Sequence, residues 1–290
     1  MRAAMVMLCC AASGGRIADS LRPAAAVEMI HNYSLVMDDI IDRGDVRRGK
    51  RTIRVEFGDS ISLLVAMSYR ETLDDLVQEC PRPRITRSIA VRAMKEIIDG
   101  ERLDLQFEQA GRDDPFLTKH RIQKPDFQMY LQMIGKKTAS LFQAAAEIGA
   151  HSAEANARVV NAMSGFGWRS GLAFQIMDDV LDICGKGTGK QEAKDIIEHK
   201  LGNAAILMAI RYLPPKEKLE LENILRSPRV SQSQAGRARQ LVEKTPAELA
   251  CRQVASEYVR EAKERLSTLT ASKYTISLSD LADSVLARAY

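Results

Sequence analysis

Proline placement constrains this 290-residue chain more than any other feature. The nine prolines stand at 23, 81, 83, 115, 125, 214, 215, 228 and 246, so residues 24–80 and 126–213 contain none. A proline inside a helix costs ~3 kcal/mol, because it removes an N–H donor and clashes with the preceding turn. Both proline-free stretches are rich in Ala, Leu, Met, Ile and Glu, with apolar residues at every third or fourth position. That is the period of helices buried along one side. Alternating strand patterns closed by turn dipeptides are absent, so a sheet has little support. Breaks are expected at Gly14-Gly15, Arg43-Gly44-Asp45, Pro81-Arg82-Pro83, Gly111 to Pro115, Gly185 to Gly189 and Pro214-Pro215. All are short, which points to a single all-α domain over 1–290, a large helical bundle, rather than two domains. Ser227 to Gln234 reads as a mobile loop and Leu281 to Tyr290 as a terminal helix.

Composition excludes several classes. A hydrophobic fraction of 46% supplies enough apolar surface to offset chain entropy, so the chain is neither disordered nor collagen-like. Lys and Arg number 42 against 38 Asp and Glu, a net charge of +4, and aromatic residues are only 5%. No basic stripe with stacking residues results, and no nucleic acid partner is expected. The five cysteines, Cys9, Cys10, Cys80, Cys184 and Cys251, are odd in number and lack C-x-x-C spacing, which fits a reducing, cytoplasmic setting. Arg2 followed by a short apolar run through Ala12 has the look of a signal peptide, but the same residues make a buried helix. No apolar run reaches the ~20 residues of a transmembrane segment.

One chemical motif recurs. Asp38-Asp39-Ile40-Ile41-Asp42 and Asp178-Asp179-Val180-Leu181-Asp182 share the form D-D-x-x-D, and each interrupts an apolar helical stretch. On a helix, residues i and i+4 share a face with i+1 beside them, so each cluster aims its carboxylates one way. Three carboxylates together repel unless solvated or holding cations, and hard oxygen ligands suit Mg²⁺, which takes a few carboxylates together with water and phosphate oxygens. A solvated charged face is the alternative. It is weakened by the repetition and by the apolar residues upstream. On a helical wheel His31, Ser34, Asp38 and Asp42 share one side, and Gln175, Asp178 and Asp182 share another.

Cationic residues accompany the aspartates. A glycine-hinged basic loop, Arg43 to Thr52 with Arg47 and Arg48, follows the first cluster, and Lys190, Lys194 and Lys200 follow the second. Lys136-Lys137-Thr138 lies in a helical segment between them. Carboxylates for a metal beside Arg and Lys for phosphate oxygens suit a diphosphate bridged by Mg²⁺. Gly185 to Lys190 only superficially suggests a P-loop, since Ser or Thr does not follow Lys190 and a helix, not a strand, precedes it. Glu28-x-x-His31 matches half of a di-iron helical motif whose second half is missing, so His31 is otherwise a packed polar residue.

These residues resemble the trans-isoprenyl diphosphate synthases, the head-to-tail prenyltransferases. The ordered match runs through Glu28 to Asp42, Arg47-Arg48-Gly49, Phe57-Gly58, Gly100-Glu101-Arg102-Leu103-Asp104-Leu105, Lys137-Thr138 and Gly171-Leu172-Ala173-Phe174-Gln175 into the second cluster. It spans residues 1 to about 210. The resemblance implies an all-helical homodimer with the two clusters facing each other across a deep cavity. It implies that Asp38, Asp39, Asp42, Asp178 and Asp179 hold Mg²⁺ for an allylic diphosphate, supported by Asp182. It implies further that Arg47, Lys137, Thr138, Phe174, Gln175, Lys190 and Lys200 serve the allylic side, with Lys137 and Lys190 taking part in catalysis. His31, Arg48 and Arg2 would serve isopentenyl diphosphate. The allylic partner would be dimethylallyl, geranyl or farnesyl diphosphate.

Product length follows from the same resemblance. Tyr33 lies ~7.5 Å along the axis before Asp38 at ~1.5 Å per residue. It resembles the aromatic residue that, with neighbouring Ser34, shortens the cavity in members making C20 or shorter products. No two-residue insertion enlarges the first cluster, as it does in bacterial farnesyl synthases, so the closest type is an archaeal geranylgeranyl diphosphate synthase. A farnesyl synthase, another chain length or a non-catalytic partner subunit of a synthase are the alternatives. A terpene cyclase would carry N/D-x-x-x-S/T-x-x-x-E in place of Asp178 to Asp182. The family's basic G-[GK]-[KR]-x-R-P segment is represented only by Arg2, so the given chain is expected either to lack the first helix of the fold or to have a weaker isopentenyl site. Ala66-Met67 replaces the usual Gly-Asp, and Gly202 stands where Thr is common.

Overall fold

The computed structural model describes residues 1–185 and 194–287, and among these the fold is all-α apart from one small hairpin. The elements are α1 (Arg2–Ala12), α2 (Leu21–Ile41), β1 (Val46–Arg47), β2 (Lys50–Arg51), α3 (Ile53–Phe57), α4 (Asp59–Gln78) and α5 (Pro83–Phe107). They continue with α6 (Pro115–His120), α7 (Phe127–Ile134), α8 (Ser140–Ser152), α9 (Ala157–Cys184), α10 (Lys194–Ile197) and α11 (Ala204–Tyr212). The series ends with α12 (Pro215–Leu225), α13 (Gln232–Glu243), α14 (Ala247–Leu266) and α15 (Lys273–Ala287). Proline marks the boundaries as expected. Pro83 opens α5, Pro115 opens α6, and Pro215 opens α12, each at a first helical position where its missing N–H costs no bond.

The chain divides into two compact units. The first comprises residues 1–97, 138–171 and 259–283. Within it α1 packs on α8, and α2 packs on α1, α4 and α8. Met5, Val6, Cys9 and Cys10 of α1 are buried, as are Ala144, Ala145, Ala146 and Ala150 of α8. The small alanines let the two helices approach closely while the larger residues of α1 supply the apolar area. The amino-terminal apolar run is therefore a core helix.

Of the described residues, the second unit comprises 98–137, 172–185, 194–258 and 284–287. Within it α11 packs on α7 and α13, and α12 packs on α13. Asn203 caps α11, its Oδ1 accepting from the N–H groups of Ala205 at 2.9 Å and Ile206 at 3.2 Å. Residues 227–231 form the loop that the sequence suggested, but it ends sooner than expected. Ser231 and Gln234 form a reciprocal capping box, the Ser-x-x-Gln pattern that starts a helix, and α13 begins at Gln232.

Two departures from regular helix matter for function. The basic loop after Asp42 closes as an antiparallel hairpin, Val46 opposite Arg51 and Arg47 opposite Lys50. Its two-residue turn, Arg48-Gly49, has φ of 54° and 74°, the paired left-handed conformation that matches strand twist and that glycine readily adopts. The other departure is a π-turn at Gly135–Ala139 between α7 and α8. It carries Lys136, Lys137 and Thr138, and such turns recur at functional positions.

Candidate active site

In the first unit, α2 buries Ala24, Ala26, Val27, Ile30 and Val36 and ends at Ile41, which places the first aspartate cluster on its last turn. Asp39 is buried, and the hairpin returns Arg47 to it: Arg47 Nε donates to Oδ1 at 2.9 Å and to Oδ2 at 3.1 Å, and a second guanidinium nitrogen stands 2.8 Å from Oδ1. A planar guanidinium suits this two-pronged contact. The hairpin is itself anchored to the helix end. Gly44 N–H donates to the Asp39 carbonyl at 2.9 Å, and Thr52 Oγ1 donates to the Gly44 carbonyl at 2.7 Å. Asp38 and Asp42 are half-buried.

Upstream on the same helix, Arg2 donates to His31 Nε2 at 3.2 Å, which makes that nitrogen an unprotonated acceptor. Burial, then the charges of Arg2, Arg48 and Arg47, push the imidazole down to about 3, so His31 is neutral. The Arg2 guanidinium also lies 4.7 Å from the ring centre of Phe142. Arg2, His31 and Arg48, assigned together in sequence, therefore belong to one electrostatic neighbourhood. Tyr33 is half-buried, and Ser34 directs its hydroxyl to the His31 carbonyl at 2.9 Å.

In the second unit, the carboxyl-terminal part of α9 carries the other cluster. Asp179 is buried and accepts three hydrogen bonds: from the Tyr130 hydroxyl at 2.7 Å, Gln175 Nε2 at 2.8 Å and the Ala204 N–H at 2.9 Å. Burial and the like charge of Asp195 hold its carboxyl well above the ordinary range, against those three donors. Asp182 accepts from the Asp195 N–H at 3.0 Å, and burial followed by the Asp195 charge pushes it up to about 8. Asp178 is half-buried, as is Phe174. Gln175, on the same side of α9 as Asp178 and Asp182, bonds Asp179 four residues on, because the i to i+4 vector of the helix brings the amide to that carboxylate.

The lysines of this unit converge on buried acids. Lys137 Nζ lies 2.6 Å from both Glu101 and Asp104, and Lys200 Nζ lies 3.5 Å from Asp104 and 3.1 Å from Glu198. Burial raises Asp104, but the charges and hydrogen bonds of Lys137 and Lys200 overcome it and hold the carboxyl down at about 2. Gly100 makes this possible. A Cβ there would come within 2.3 Å of the Lys137 main-chain nitrogen, so only glycine lets α5 meet the π-turn so closely. Thr138 is buried in the same turn. Lys190 lies outside the described residues.

Several participants carried no role in the sequence. Asp195 and Asn203 join the second cluster, with Asn203 Nδ2 donating to Asp195 Oδ2 at 2.8 Å and to the Asp179 carbonyl at 3.3 Å. Asn203 had a readable signal as a helix cap before Ala204-Ala205-Ile206. Glu101 and Asp104 lie in the Gly100–Leu105 segment that carries the family resemblance, without a role of their own there, and Tyr130 had no signal beyond its place in an apolar helical stretch.

The donor chemistry suits Mg²⁺. Among the described residues no three carboxylate, histidine or cysteine groups form a ready-made cage. Mg²⁺ is nevertheless commonly held by one or two carboxylates, with water and substrate phosphates completing its shell. Burial and the like charge of Asp195 raise Asp179 and Asp182, the condition a divalent cation relieves. No helix among the described residues is long and apolar enough to cross a membrane.

The sequence matches the family model for polyprenyl synthetase over residues 1–244. A short chain isoprenyl diphosphate synthase of Methanocaldococcus jannaschii is 35% identical over 72% of this chain, a match covering 61% of that protein's length. A geranylgeranyl diphosphate synthase of Methanosarcina mazei is 29% identical over 100% of this chain and 86% of its own. Among solved structures, a polyprenyl synthase from Caulobacter crescentus, complexed with calcium and isoprenyl diphosphate, superposes with a TM-score of 0.91 at 30% identity, covering 100% of this chain and 84% of that one.

Proposed function

The chain belongs to the polyprenyl synthetase family, and from that premise we propose that it joins an allylic diphosphate head to tail with isopentenyl diphosphate, releasing diphosphate and producing geranylgeranyl diphosphate. The observation that carries this is the pair of D-D-x-x-D helix ends, each with a buried aspartate, the first gripped by Arg47 and the second in the same unit as Lys137 and Lys200 held on Asp104. The family's use of Mg²⁺ fits this donor set. Mg²⁺ would be held by carboxylates among Asp38, Asp39, Asp42, Asp178, Asp179 and Asp182, and when bound it supplies positive charge to a departing diphosphate.

The chain's own residues supply the rest. Lys137 and Lys200, held in place by Asp104, present ammonium groups to diphosphate oxygens; Lys190, Thr138, Phe174 and Gln175 belong to the same allylic set. Such prepositioned cations favour negative charge developing on the leaving group. Arg2, Arg48 and His31 receive the isopentenyl diphosphate. His31 contributes as a neutral imidazole, which excludes it as a cationic acid. The C–O bond breaks to leave an allylic cation, the alkene attacks that cation, and the proton lost from the adduct goes to the released diphosphate. Water must be kept from the allylic cation, which suits helices lined by apolar residues.

Tyr33 is the residue assigned to limit the chain at C20. We read the chain as one domain acting as a homodimer in the cytoplasm; exposed Ile61, Leu64 and Met67, three residues apart on α4, support the dimer. The test is chromatography of products formed with Mg²⁺, isopentenyl diphosphate and one primer at a time: dimethylallyl, geranyl or farnesyl diphosphate. A C20 diphosphate is expected, lengthened by Tyr33→Ala. A C15 product would make the chain a farnesyl synthase, and no product would leave it a partner subunit.

A further inference from the structure

Tyr130 is among the most deeply buried large side chains, with 0% of its surface exposed, yet it carries a hydroxyl. A buried phenol needs a partner, and this one is Asp179, at 2.7 Å. The carboxylate is knotted to three helices at once. Tyr130 comes from α7, Gln175 lies one turn before Asp179 on α9, and the Ala204 N–H opens α11. Oδ2 accepts from both Tyr130 and Ala204, and Oδ1 accepts from Gln175. The main chain is tied too, since Asn203 Nδ2 reaches the Asp179 carbonyl. A carboxylate so engaged cannot rotate toward a cation without abandoning its donors in the interior, where no water replaces them.

We propose that Tyr130 is a positioning residue for the second aspartate cluster: its phenol pins Asp179 as a buried tether that fixes the turn of α9, while Asp178 carries the cation-facing role. This rests on the prenyl synthase reading and divides the labour within its second cluster. The hydroxyl, not the ring, is the working part, because phenylalanine would fill the same space.

The test uses the full chain and Mn²⁺ with inorganic diphosphate, followed by electron paramagnetic resonance, on Tyr130→Phe, Asp179→Asn and Asp178→Asn. Asparagine at 179 keeps an oxygen for Tyr130 and Ala204, and Gln175 can turn its carbonyl toward the new amide. Asp179→Asn should therefore bind Mn²⁺ within about threefold of the unmodified protein, whereas Asp178→Asn should bind at least about tenfold more weakly, the size expected when a ligand or its support is lost. Tyr130→Phe should weaken Mn²⁺ binding by about tenfold through misplacement. It should also speed exchange of the Ala204 amide in the metal-free protein.

Equal losses in Asp179→Asn and Asp178→Asn would overturn the tether and make Asp179 a ligand. Tyr130→Phe that lowered only the thermal midpoint, with Mn²⁺ affinity unchanged, would overturn the positioning role. The expected Mn²⁺ pattern in a protein without prenyl turnover would support the tether and count against the catalytic reading instead.

Discussion

The two aspartate clusters have the same letters and opposite electrostatics. In the first, the buried Asp39 is matched by a full positive charge, the Arg47 guanidinium gripping both its oxygens. In the second, the buried Asp179 is matched by three uncharged donors, and its strongest charged neighbour is another acid, Asp195. One pair is close to neutral, whereas in the other the carboxyl is held well above its ordinary range. A repeated motif thus fixes where carboxylates stand on a helix but not how the surroundings balance them. Asp39 is charge-matched without a cation, whereas Asp179 is not.

The largest effects are expected where the clusters agree. Asp38→Ala and Asp178→Ala should each lower turnover by about a thousandfold, since several kcal/mol of charge stabilisation is lost at ~1.4 kcal/mol per factor of ten. Metal-free thermal stability should barely fall, because each change removes a repelling carboxylate. Steady-state kinetics at saturating Mg²⁺ checks this, and near-normal turnover in either variant would remove that cluster from the metal assignment.

Smaller effects should separate the clusters. Arg47→Leu strands Asp39 as a buried, unpaired charge, which should cost about 3 kcal/mol in urea unfolding. Gln175→Leu removes one neutral donor of three from Asp179 and should cost about 1 kcal/mol. Equal losses would erase the contrast between a charge-matched and a donor-matched carboxylate.

Graded effects lie in the pH dependence of stability. His31, driven to about 3 by burial and nearby arginines, stays unprotonated while the unfolded chain takes up a proton near 6.5. Its contribution is full above about 6.5 and is lost as pH falls through 3, because the unfolded state binds more protons in that window. Glu108 slopes the other way. Burial drives it to about 7, against the pull of Arg112 and Lys200, so its contribution is full below about 4.5 and is lost as pH rises through 7. Urea unfolding across this range should lose its acid-side slope in His31→Gln and its neutral-side slope in Glu108→Gln.

Much of this was legible in the sequence because prolines and helical periodicity act locally. The boundaries at Pro83, Pro115 and Pro215 follow from backbone chemistry alone, and the D-D-x-x-D spacing places six carboxylates on two helix ends. The pairing of Arg2 with His31 was suggested by the family resemblance, and the geometry joins them. What stayed hidden depends on packing between distant segments. Nothing near Tyr130 announces that its hydroxyl meets Asp179, 49 residues away. Nor does Gly100 reveal a π-turn pressed against it until the two are placed together. The capping box at Ser231 was readable but was masked by the polar, proline-containing run before it.

Anomalous scattering from crystals grown with Mn²⁺ and a non-reactive allylic diphosphate analogue tests the proposed chemistry most directly. The expected result is Mn²⁺ against Asp38 and Asp42 of the first cluster and Asp178 of the second, with diphosphate oxygens completing each shell. Analogue bound with no Mn²⁺ at either cluster would contradict it.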